Sequence, residues 1–358
     1  MRIIQIIDSL DAGGAERMAV SYANALVERI EFSGLVATRK EGQLFSQIEK
    51  NVSYLFLEKK RKIDFKAVFK LRGYLKRNKI QIIHAHGSSF FTAVLVKLIF
   101  PKVKIIWHDH LGSRAKKSKG ENKILIFLSI FFSSIFAVNL QLEEWSRKNL
   151  LCKKVIFVPN FAKQNNENLQ ITKLKGTEGK RIVFLANLKN PKNHISILNA
   201  FWDLKLFEAD WSLHLIGRDY FDSYSEVLKK FIKSHSLENH IHLYGEKSDV
   251  NYILSQSSVG VLASMEEGFP VTLLEYALED LAVVCTDVGY CSKIIKNGVS
   301  GLLFDPTNDF ELNSQLKKIT EDDLLRKEMA TNFKESVIRN YSEKEVMEKL
   351  ISEYKKIN

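Results

Sequence analysis

Cysteine is scarce in this chain of 358 residues, which contains three, at positions 152, 285 and 291. They show no paired spacing of the kind that zinc sites use and cannot form a full disulfide set. We therefore expect free thiols in a reducing compartment. A secretory leader is not expected either, because the apolar opening, residues 2–7, leads into a glycine loop without a cleavage region.

Long apolar runs are also missing. The longest candidate, Ile124–Leu140, has 17 residues, which is the short limit for a membrane-spanning helix, and serines interrupt it. We interpret it as a helix of the N-terminal core, with one face near lipid, followed by a buried strand at Ile135–Asn139. A transmembrane span is the alternative. A basic run, residues 114–119, precedes this segment.

A dinucleotide fingerprint is absent as well. After the first strand the chain reads G-G-A-E-R from Gly13 to Arg17, whereas the fingerprint requires G-x-G-x-x-G, so NAD binding is disfavoured. A glycine pair at that position still lets the backbone approach a ligand closely, and the helix start that follows favours a negative group. The alternative is a tight turn that binds nothing.

Positive charge is present in excess, with a net charge of +11, and it is unevenly placed. From Lys59 to Lys79 there are ten Lys or Arg residues and one acid, Asp64, interleaved with apolar residues. On a helix this pattern forms a basic amphipathic face. It fits a solvated surface, a nucleic-acid patch or contact with anionic lipid. Nucleic acid is disfavoured because no nucleic-acid-binding motif accompanies the patch.

The apolar runs alternate with amphipathic helical segments, which predicts parallel sheets covered on both faces. A polar linker interrupts this alternation, and the length and 45% hydrophobic content allow two domains. We predict an α/β fold with two Rossmann-like domains facing a central cleft. The predicted strands are 3–7, 34–38, 82–85, 104–107, 135–139 and 155–158 in the first domain, and 182–185, 212–216, 241–244, 259–262, 283–286 and 301–304 in the second.

The segment E-G-F-P-V-T-L-L-E, from Glu267 to Glu275, places two carboxylates across a turn that opens a helix. Pro270 suits the first helical position, where its missing N–H costs nothing. The backbone donors that follow it then form an anion site. In the alternative interpretation neither glutamate binds a ligand. Glu267 is then a charge near a helix start, and Glu275 is a solvated helix residue.

The wider segment from Ser257 to Pro306 resembles the donor-binding half of retaining glycosyltransferases of glycosyltransferase family 4. The resemblance covers the strand before Ser264, the E-G-F-P turn, the L-L-E helix, Asp287-Val-Gly289 and Asn297-Gly298-x-x-Gly301. It implies the GT-B fold. The expected division is an acceptor domain at 1–165, a linker at 166–180, a donor domain at 181–335, and a final helix at 336–358 that crosses back to the first domain.

The resemblance also assigns residues to the nucleotide-sugar donor. It implies that Glu275 binds the ribose hydroxyls and that Glu267 acts in catalysis on the transferred sugar. Lys192 matches a family lysine for the diphosphate, and Asn187 stands where the family has an arginine. Losing that cation should weaken binding of the diphosphate unless Arg218 or Lys189 supplies the charge. The remaining predicted donor contacts are Gly13, Gly14, Gly217, Gly268, Phe269, Pro270, Val271, Thr272 and Leu273.

Histidines cluster at two predicted strand ends, where open α/β sheets bind ligands. The family has a histidine that contacts the transferred sugar, and both His108 and His110 are candidates for that catalytic role. The spacing His108-x-His110 also occurs in metal sites, with Asp109 as a third ligand, but we expect no metal. His84 and His86 border the acceptor pocket or belong to the core.

The resulting expectation is a metal-independent, retaining hexosyltransferase without a cofactor, using a nucleotide-diphosphate sugar as co-substrate. The other partners expected are a lipid-linked or cell-surface saccharide acceptor and an anionic membrane surface, with no nucleic acid. The protein would be cytoplasmic and peripheral at the inner face of the membrane. The alternatives are a nucleotide-sugar epimerase on the same fold and a non-catalytic subunit that binds sugar nucleotides, the latter motivated by Asn187.

Overall fold

The computed structural model describes residues 1–11, 13–112, 114, 119–163 and 170–357. The chain forms two compact units, the first made of Met1–Phe161 with Glu343–Asn358 and the second of Ala162–Ser342. The predicted linker, 166–180, lies partly outside the described residues. Its described part belongs to the second unit, because the N–H groups of Ile171 and Thr172 donate to Asp249 Oδ2 at 3.0 and 2.6 Å.

The first unit is built on a seven-stranded parallel sheet in the order β3-β2-β1-β4-β5-β6-β7. Its strands are β1 (Arg2–Ser9), β2 (Phe32–Lys40), β3 (Ser53–Phe56), β4 (Ile82–His86), β5 (Lys104–Asp109), β6 (Ser134–Ala137) and β7 (Val155–Phe157). Its helices are α1 (Gly14–Leu26), α2 (Phe65–Arg77), α3 (Phe90–Ile99), α4 (Lys119–Leu128) and α5 (Leu140–Asn149), with α13 (Glu343–Ile357) from the end of the chain.

The second unit has a six-stranded parallel sheet in the order β10-β9-β8-β11-β12-β13. Its strands are β8 (Arg181–Leu185), β9 (Ser212–Ile216), β10 (Ile241–Gly245), β11 (Val259–Leu262), β12 (Ala282–Thr286) and β13 (Leu302–Phe304). Its helices are α6 (His194–Asp203), α7 (Ser223–Ser234), α8 (Val250–Ser255), α9 (Val271–Leu278), α10 (Cys291–Ile294), α11 (Asp309–Glu321) and α12 (Asp323–Tyr341).

Each sheet is buried on both faces, which explains the continuous apolar runs of its central strands. One face of the first sheet, with Ile6 and Ile83, packs against α2, α3 and α4, and the opposite face receives α1. Side-chain caps fix several helix starts: Asp64 accepts from the N–H of Ala67 at α2, and Asn139 from that of Leu142 at α5.

Both sheets reverse their strand order at a single point, between β1 and β4 in the first and between β8 and β11 in the second. In open parallel sheets, ligands bind outside the carboxyl ends of the strands at such switch points. The loops that carry the predicted site residues follow these strands.

The α/β fold with two parallel sheets is confirmed, and the differences from prediction are local. The sequence missed β3, a half-buried edge strand of four residues. The apolar segment Ile124–Leu140 is divided between the end of α4, a single helical turn and β6. Among the described residues, no helix combines the length and apolarity needed to cross a bilayer.

Candidate active site

Two loops, residues 186–193 after β8 and 263–270 after β11, meet at the switch point of the second sheet. The N–H of Met265 donates to the carbonyl of Pro191 at 2.8 Å, which joins the loops. Lys192 Nζ lies 2.7 Å from Glu267 Oε1, with 25% and 11% of the two side chains exposed. The structure thus brings two predicted donor-site residues into one ion pair.

Gly289, in the turn after β12, supports the loop of Glu267 from behind. It adopts φ +60°, and a Cβ on it would lie 1.9 Å from the carbonyl oxygen of Glu267. Only glycine permits both this backbone conformation and this approach. The position of Glu267 therefore depends on a glycine 22 residues further along the chain.

Helix α9 starts immediately after this loop. Pro270 is its N-cap with an extended backbone, and the helix begins at Val271, one residue later than the sequence predicts. The N–H groups of Val271 and Thr272 lie in the first turn, where no intrahelical acceptor exists. The N–H of Leu273 donates to the carbonyl of Pro270, and its side chain is in the core. The first turn of α9 therefore offers backbone N–H donors of the kind that bind anions, next to the ion pair.

Glu275, half-buried on α9, is positioned by its neighbour Tyr276. The Tyr276 hydroxyl accepts from the N–H of Leu185 at 2.8 Å and donates to the carbonyl of Val261 at 3.1 Å, so α9 is bound to β8 and β11. Gly260 makes room for this ring, because a Cβ there would come within 2.5 Å of it.

Asn187 binds backbone at the position where an arginine was expected. Its Oδ1 accepts from the N–H of Arg218 at 3.0 Å. A Cβ on Gly217 would lie 2.1 Å from the carbonyl oxygen of Ala186, so this turn also requires glycine. Two cations lie at the same rim: the Arg218 guanidinium and Lys189 Nζ are 5.3 and 5.9 Å from the centre of the Tyr220 ring.

The side chain of Phe269 packs against other aromatic residues of the second unit. It is buried, stacks on Tyr290 with ring centres 5.3 Å apart, and meets Tyr341 edge-on at 5.5 Å. A ligand at this loop would therefore meet the backbone of Gly268 and Phe269.

Gly13 in the first unit is the N-cap of α1 and has an extended backbone. A Cβ on Gly13 would lie 2.3 Å from Glu16 Oε2, so the Glu16 carboxylate folds back over the helix start in the manner of a capping box. Gly14, by contrast, is exposed, and a Cβ on it would have open space around it. Ala12 lies outside the described residues.

The four predicted histidines of the first unit form two hydrogen-bonded pairs. His84 Nε2 and His108 Nδ1 are 3.1 Å apart, and His86 Nδ1 and His110 Nε2 are 2.9 Å apart. The pairs lie against each other: the ring centres of His84 and His86 are 4.5 Å apart, and those of His108 and His110 are 4.2 Å apart. The Tyr22 ring from α1 covers three of the four.

Two residues that the sequence analysis did not single out complete this network. Gln5 Oε1 is 2.8 Å from His86 Nε2, and the Tyr354 hydroxyl of α13 is 2.5 Å from His84 Nδ1. Gln5 is a polar residue in the run I-I-Q-I-I and is paired with His84 in the sheet. This polar residue within an apolar strand is the sequence signal from which the buried role of Gln5 could have been predicted.

Burial keeps these imidazoles neutral. It lowers the pKa of His110 to about 3. Burial, and then the neighbouring histidines, also place the pKa values of His84, His86 and His108 well below the ordinary value. His108 is fully covered, whereas His110, just past the end of β5, is partly exposed.

The ring nitrogens of His84, His86 and His108 include one from each residue within 4.8 Å of the others, which is close enough for a metal site. Imidazole lone pairs lie in the ring plane, however, and the planes of His84 and His86 are 21° from parallel with their centres 4.5 Å apart. Their lone pairs therefore do not converge on one point. Both ring nitrogens of His84 and of His86 are engaged in the hydrogen bonds described above, as is Nδ1 of His108.

Asp109, the other potential ligand, is fully buried and forms an ion pair with Arg114, while its second oxygen accepts from the N–H of Leu111. Burial raises the pKa of its carboxyl, and Arg114 opposes that shift. This pairing was not anticipated from the sequence. It holds Leu111 and Arg114 beside the end of β5; residues 113 and 115–118 lie outside the described chain.

Comparisons with known proteins agree with this architecture. The family description "Glycosyl transferases group 1" matches residues 165–336, and "Glycosyltransferase Family 4" matches residues 12–170. The O-antigen biosynthesis glycosyltransferase WbnH of Escherichia coli is 28% identical over 98% of this chain and 97% of its own length.

A Campylobacter jejuni relative, an alpha-1,4-N-acetyl-D-galactosaminyltransferase named for a diphosphoundecaprenol-linked substrate, is 24% identical over 94% of this chain and 93% of its own length. The crystal structure of Anabaena HepE in complex with UDP and glucose has a TM-score of 0.83 at 15% identity, covering 99% of this chain and all of the other.

Two parallel-sheet units, each with a single reversal of its strand order, define the GT-B fold. The chain belongs to glycosyltransferase family 4, the group 1 glycosyl transferases.

Proposed function

We propose that this glycosyltransferase moves a hexose-type sugar from a nucleotide-diphosphate sugar to a hydroxyl of a lipid-linked or cell-surface saccharide. The observation that carries the proposal is the Lys192–Glu267 ion pair beside the first turn of α9. A lysine and free backbone donors suit a diphosphate, and a neighbouring carboxylate suits sugar hydroxyls. HepE, whose fold this chain shares, was crystallised with UDP and glucose.

The roles within the donor site follow from charge. Lys192 and the N–H groups of Val271 and Thr272 bind the diphosphate, Glu275 binds the ribose, and Glu267 binds the transferred sugar. Lys189 and Arg218, held at the Tyr220 ring, supply the positive charge that Asn187 lacks.

The leaving diphosphate gains negative charge as the anomeric bond breaks. Preorganised cations and backbone donors stabilise that charge, which is the reason for proposing catalysis without a metal ion. The anomeric carbon gains positive character, and the nearby carboxylate of Glu267 stabilises that charge. We propose that the acceptor hydroxyl attacks from the face of the leaving group, with a phosphate oxygen taking its proton, so that anomeric configuration is retained.

An acceptor at a membrane surface is supported by the outer face of the first unit. Helices α2, α3 and α4 pack on one core, so their outer sides face away from the sheet together. That side exposes Phe65 and Phe69 on α2 and Ile124 and Phe127 on α4, each more than half exposed. Exposed lysines and arginines flank α2. Apolar side chains ringed by cations suit an anionic bilayer.

The membrane contact is tested by flotation with vesicles of defined charge. The wild type should float with vesicles containing anionic lipid and remain in solution with purely zwitterionic ones. Replacing Phe69 and Phe127 by serine should abolish flotation, whereas replacing the exposed Phe310 of the second unit should not. Equal flotation of both variants would contradict the placement of the surface.

The activity is tested by incubating the protein with a panel of nucleotide sugars and undecaprenyl-diphosphate saccharides in the presence of a chelator. We expect release of nucleoside diphosphate together with a lengthened lipid-linked saccharide. A changed sugar in the donor alone would identify an epimerase. Binding of donors without turnover of any of them would identify a non-catalytic subunit.

A further inference from the structure

The first sheet has an irregularity near the carboxyl end of β1. The register between β1 and β2 shifts there, so that two residues of β2, Thr38 and Arg39, stand opposite the single residue Asp8. An extra residue of this kind is a β-bulge, and bulges often re-aim side chains next to functional sites. The strand order of the sheet also reverses at β1, and open parallel sheets bind ligands beyond the carboxyl ends of the strands at such a point.

The bulge brings both neighbours onto Asp8, although consecutive strand residues normally point to opposite faces. The Thr38 hydroxyl donates to Asp8 Oδ1, and Arg39 Nε lies 4.0 Å from the same oxygen. The Ser88 hydroxyl, which follows β4, donates to Asp8 Oδ2 at 2.6 Å. Hydroxyls from two neighbouring strand ends therefore fix the orientation of the carboxylate.

Asp8 and Arg39 remain accessible and keep bonding capacity. The side chains are 24% and 40% exposed, respectively. A carboxylate has about four acceptor positions, and hydrogen bonds from the described part of the chain fill two of those on Asp8. The separation of 4.0 Å is too long for a hydrogen bond, so the Arg39 guanidinium does not use its donors on this carboxylate.

The gap between these two groups has the size of one hydroxyl group. A hydroxyl oxygen bound to both would lie about 2.7 Å from Asp8 Oδ1 and about 2.9 Å from Arg39 Nε, and these distances span a separation of 4.0 Å. A hydroxyl both donates and accepts, so it satisfies the anion and the cation together. Asp8 repels a phosphate and Arg39 repels an ammonium group, so the pair favours a neutral polyol.

Lys59 distinguishes a binding role from a structural one. Its side chain is buried and donates to the Thr92 hydroxyl at 2.8 Å. Burial lowers the pKa of Lys59, Asp8 opposes that shift, and Arg39 lowers the pKa further. Asp8 thus also offsets a buried charge. Arg39 repels that charge, so it has no stabilising role towards Lys59 that would explain its position.

We propose that Asp8 and Arg39 bind one hydroxyl of the saccharide acceptor between them, with Thr38 and Ser88 as positioning residues. All four residues belong to the first unit. The identity of the ligand as an acceptor saccharide rests on the proposed function. The geometry of the pair rests on the bulge and its hydrogen bonds.

Equilibrium binding in detergent tests the pair without turnover. The probes are undecaprenyl-diphosphate saccharides and undecaprenyl diphosphate without a saccharide, each titrated onto the full-length protein in the absence of a donor. Asp8→Asn and Arg39→Met should each weaken binding of the saccharide form about tenfold, as expected for a hydrogen bond to a charged group, and leave binding of the bare lipid diphosphate unchanged. Glu31→Gln, which alters an exposed carboxylate paired with Arg2, should change neither affinity.

The double variant tests whether the two groups share one hydroxyl. Asp8→Asn combined with Arg39→Met should weaken binding by less than the roughly hundredfold that two independent contacts would give. Thermal unfolding checks that each variant is folded, and Arg39→Met leaves the hydrogen bonds of Asp8 in place.

Three results would overturn the proposal: unchanged saccharide binding in a folded Arg39→Met variant, an equal loss for the bare lipid diphosphate, or no saccharide bound by the wild type. Failure of the wild type to bind or turn over any nucleotide sugar would instead refute the proposed function, since the titration contains no donor.

Discussion

The two glutamates that first marked the donor segment have different supports. Glu267 lies in a loop and is held by Lys192 and the backbone of Gly289. Glu275 lies on a helix whose neighbouring tyrosine is bound to two strands. Consequently, the Glu267 carboxylate depends on a side-chain ion pair, whereas Glu275 lies on a helix anchored to the sheet.

Glu275 offers a matched test on its own helix. Glu275→Gln removes the charge that we propose accepts from the ribose hydroxyls, and a charged hydrogen bond is worth about 1.5–3 kcal/mol, so kcat/KM should fall about tenfold or more. Glu279→Gln, four residues on, replaces a carboxyl bound to Asn251 outside the proposed site and should leave activity unchanged. Equal losses in both variants would contradict the ribose role.

At the scale of elements, the loop after β12 supports the loop that carries Glu267, which belongs to the proposed donor site. Gly289→Ala should shift Glu267, because the new Cβ would overlap its carbonyl, and should abolish most activity. Gly298→Ala is the matched control: it also has a positive φ, +77°, but open space around it. It should cost about 1 kcal/mol of stability through backbone strain alone and retain activity.

The stability of each variant is measured by denaturant unfolding, and its activity by the initial rate of sugar transfer. An active Gly289→Ala variant of ordinary stability would show that the close approach to Glu267 does not matter.

Much of this element-level organisation could be predicted from the sequence. Buried parallel strands are continuous apolar runs, so twelve of the strands were placed close to their observed bounds. The edge strand β3 was missed because its half-buried residues give neither a full apolar run nor clear alternation. Resemblance, together with turn chemistry, placed Lys192 and Glu267, but their ion pair depends on a contact 75 residues apart in sequence.

The histidine network shows the limit of local reasoning. His84 and His86 were undecided between pocket and core, because nothing within β4 reveals what packs over it. Their partners Gln5 and Tyr354 come from opposite ends of the chain, 81 residues before His86 and 270 residues after His84. The sequence showed the residue types at strand ends, whereas the tertiary fold decided which nitrogen meets which acceptor.

At the scale of the whole molecule, the buried histidines make stability depend on pH. Their folded-state pKa values lie below the unfolded value of 6.5, so the unfolded chain binds more protons as the pH falls below it. The stability gained by burying these imidazoles in their neutral form is present above pH 6.5 and is lost on acidification. Between pH 6.5 and 5.5 each histidine should cost about 1 kcal/mol, or about 4 kcal/mol for the four.

Denaturant unfolding of the first unit, followed by the fluorescence of its buried Trp107, measures this dependence. His84→Asn, which removes one ionisable ring, should flatten the dependence by about a quarter. A free energy of unfolding that is equal at pH 7 and pH 5.5 would show that the rings are not held neutral.

The central claim is that a nucleotide sugar binds at the Lys192–Glu267 pair, and thermal shift with a panel of nucleotide sugars tests it most directly. A bound ligand at 100 times its Kd stabilises the folded state by about 2.7 kcal/mol, which raises Tm by several degrees. We predict this rise for at least one nucleotide sugar in the wild type and in Lys205→Met, an exposed lysine of the same unit, and its loss in Lys192→Met. An undiminished rise in a folded Lys192→Met variant, or no rise with any nucleotide sugar in the wild type, would contradict the account.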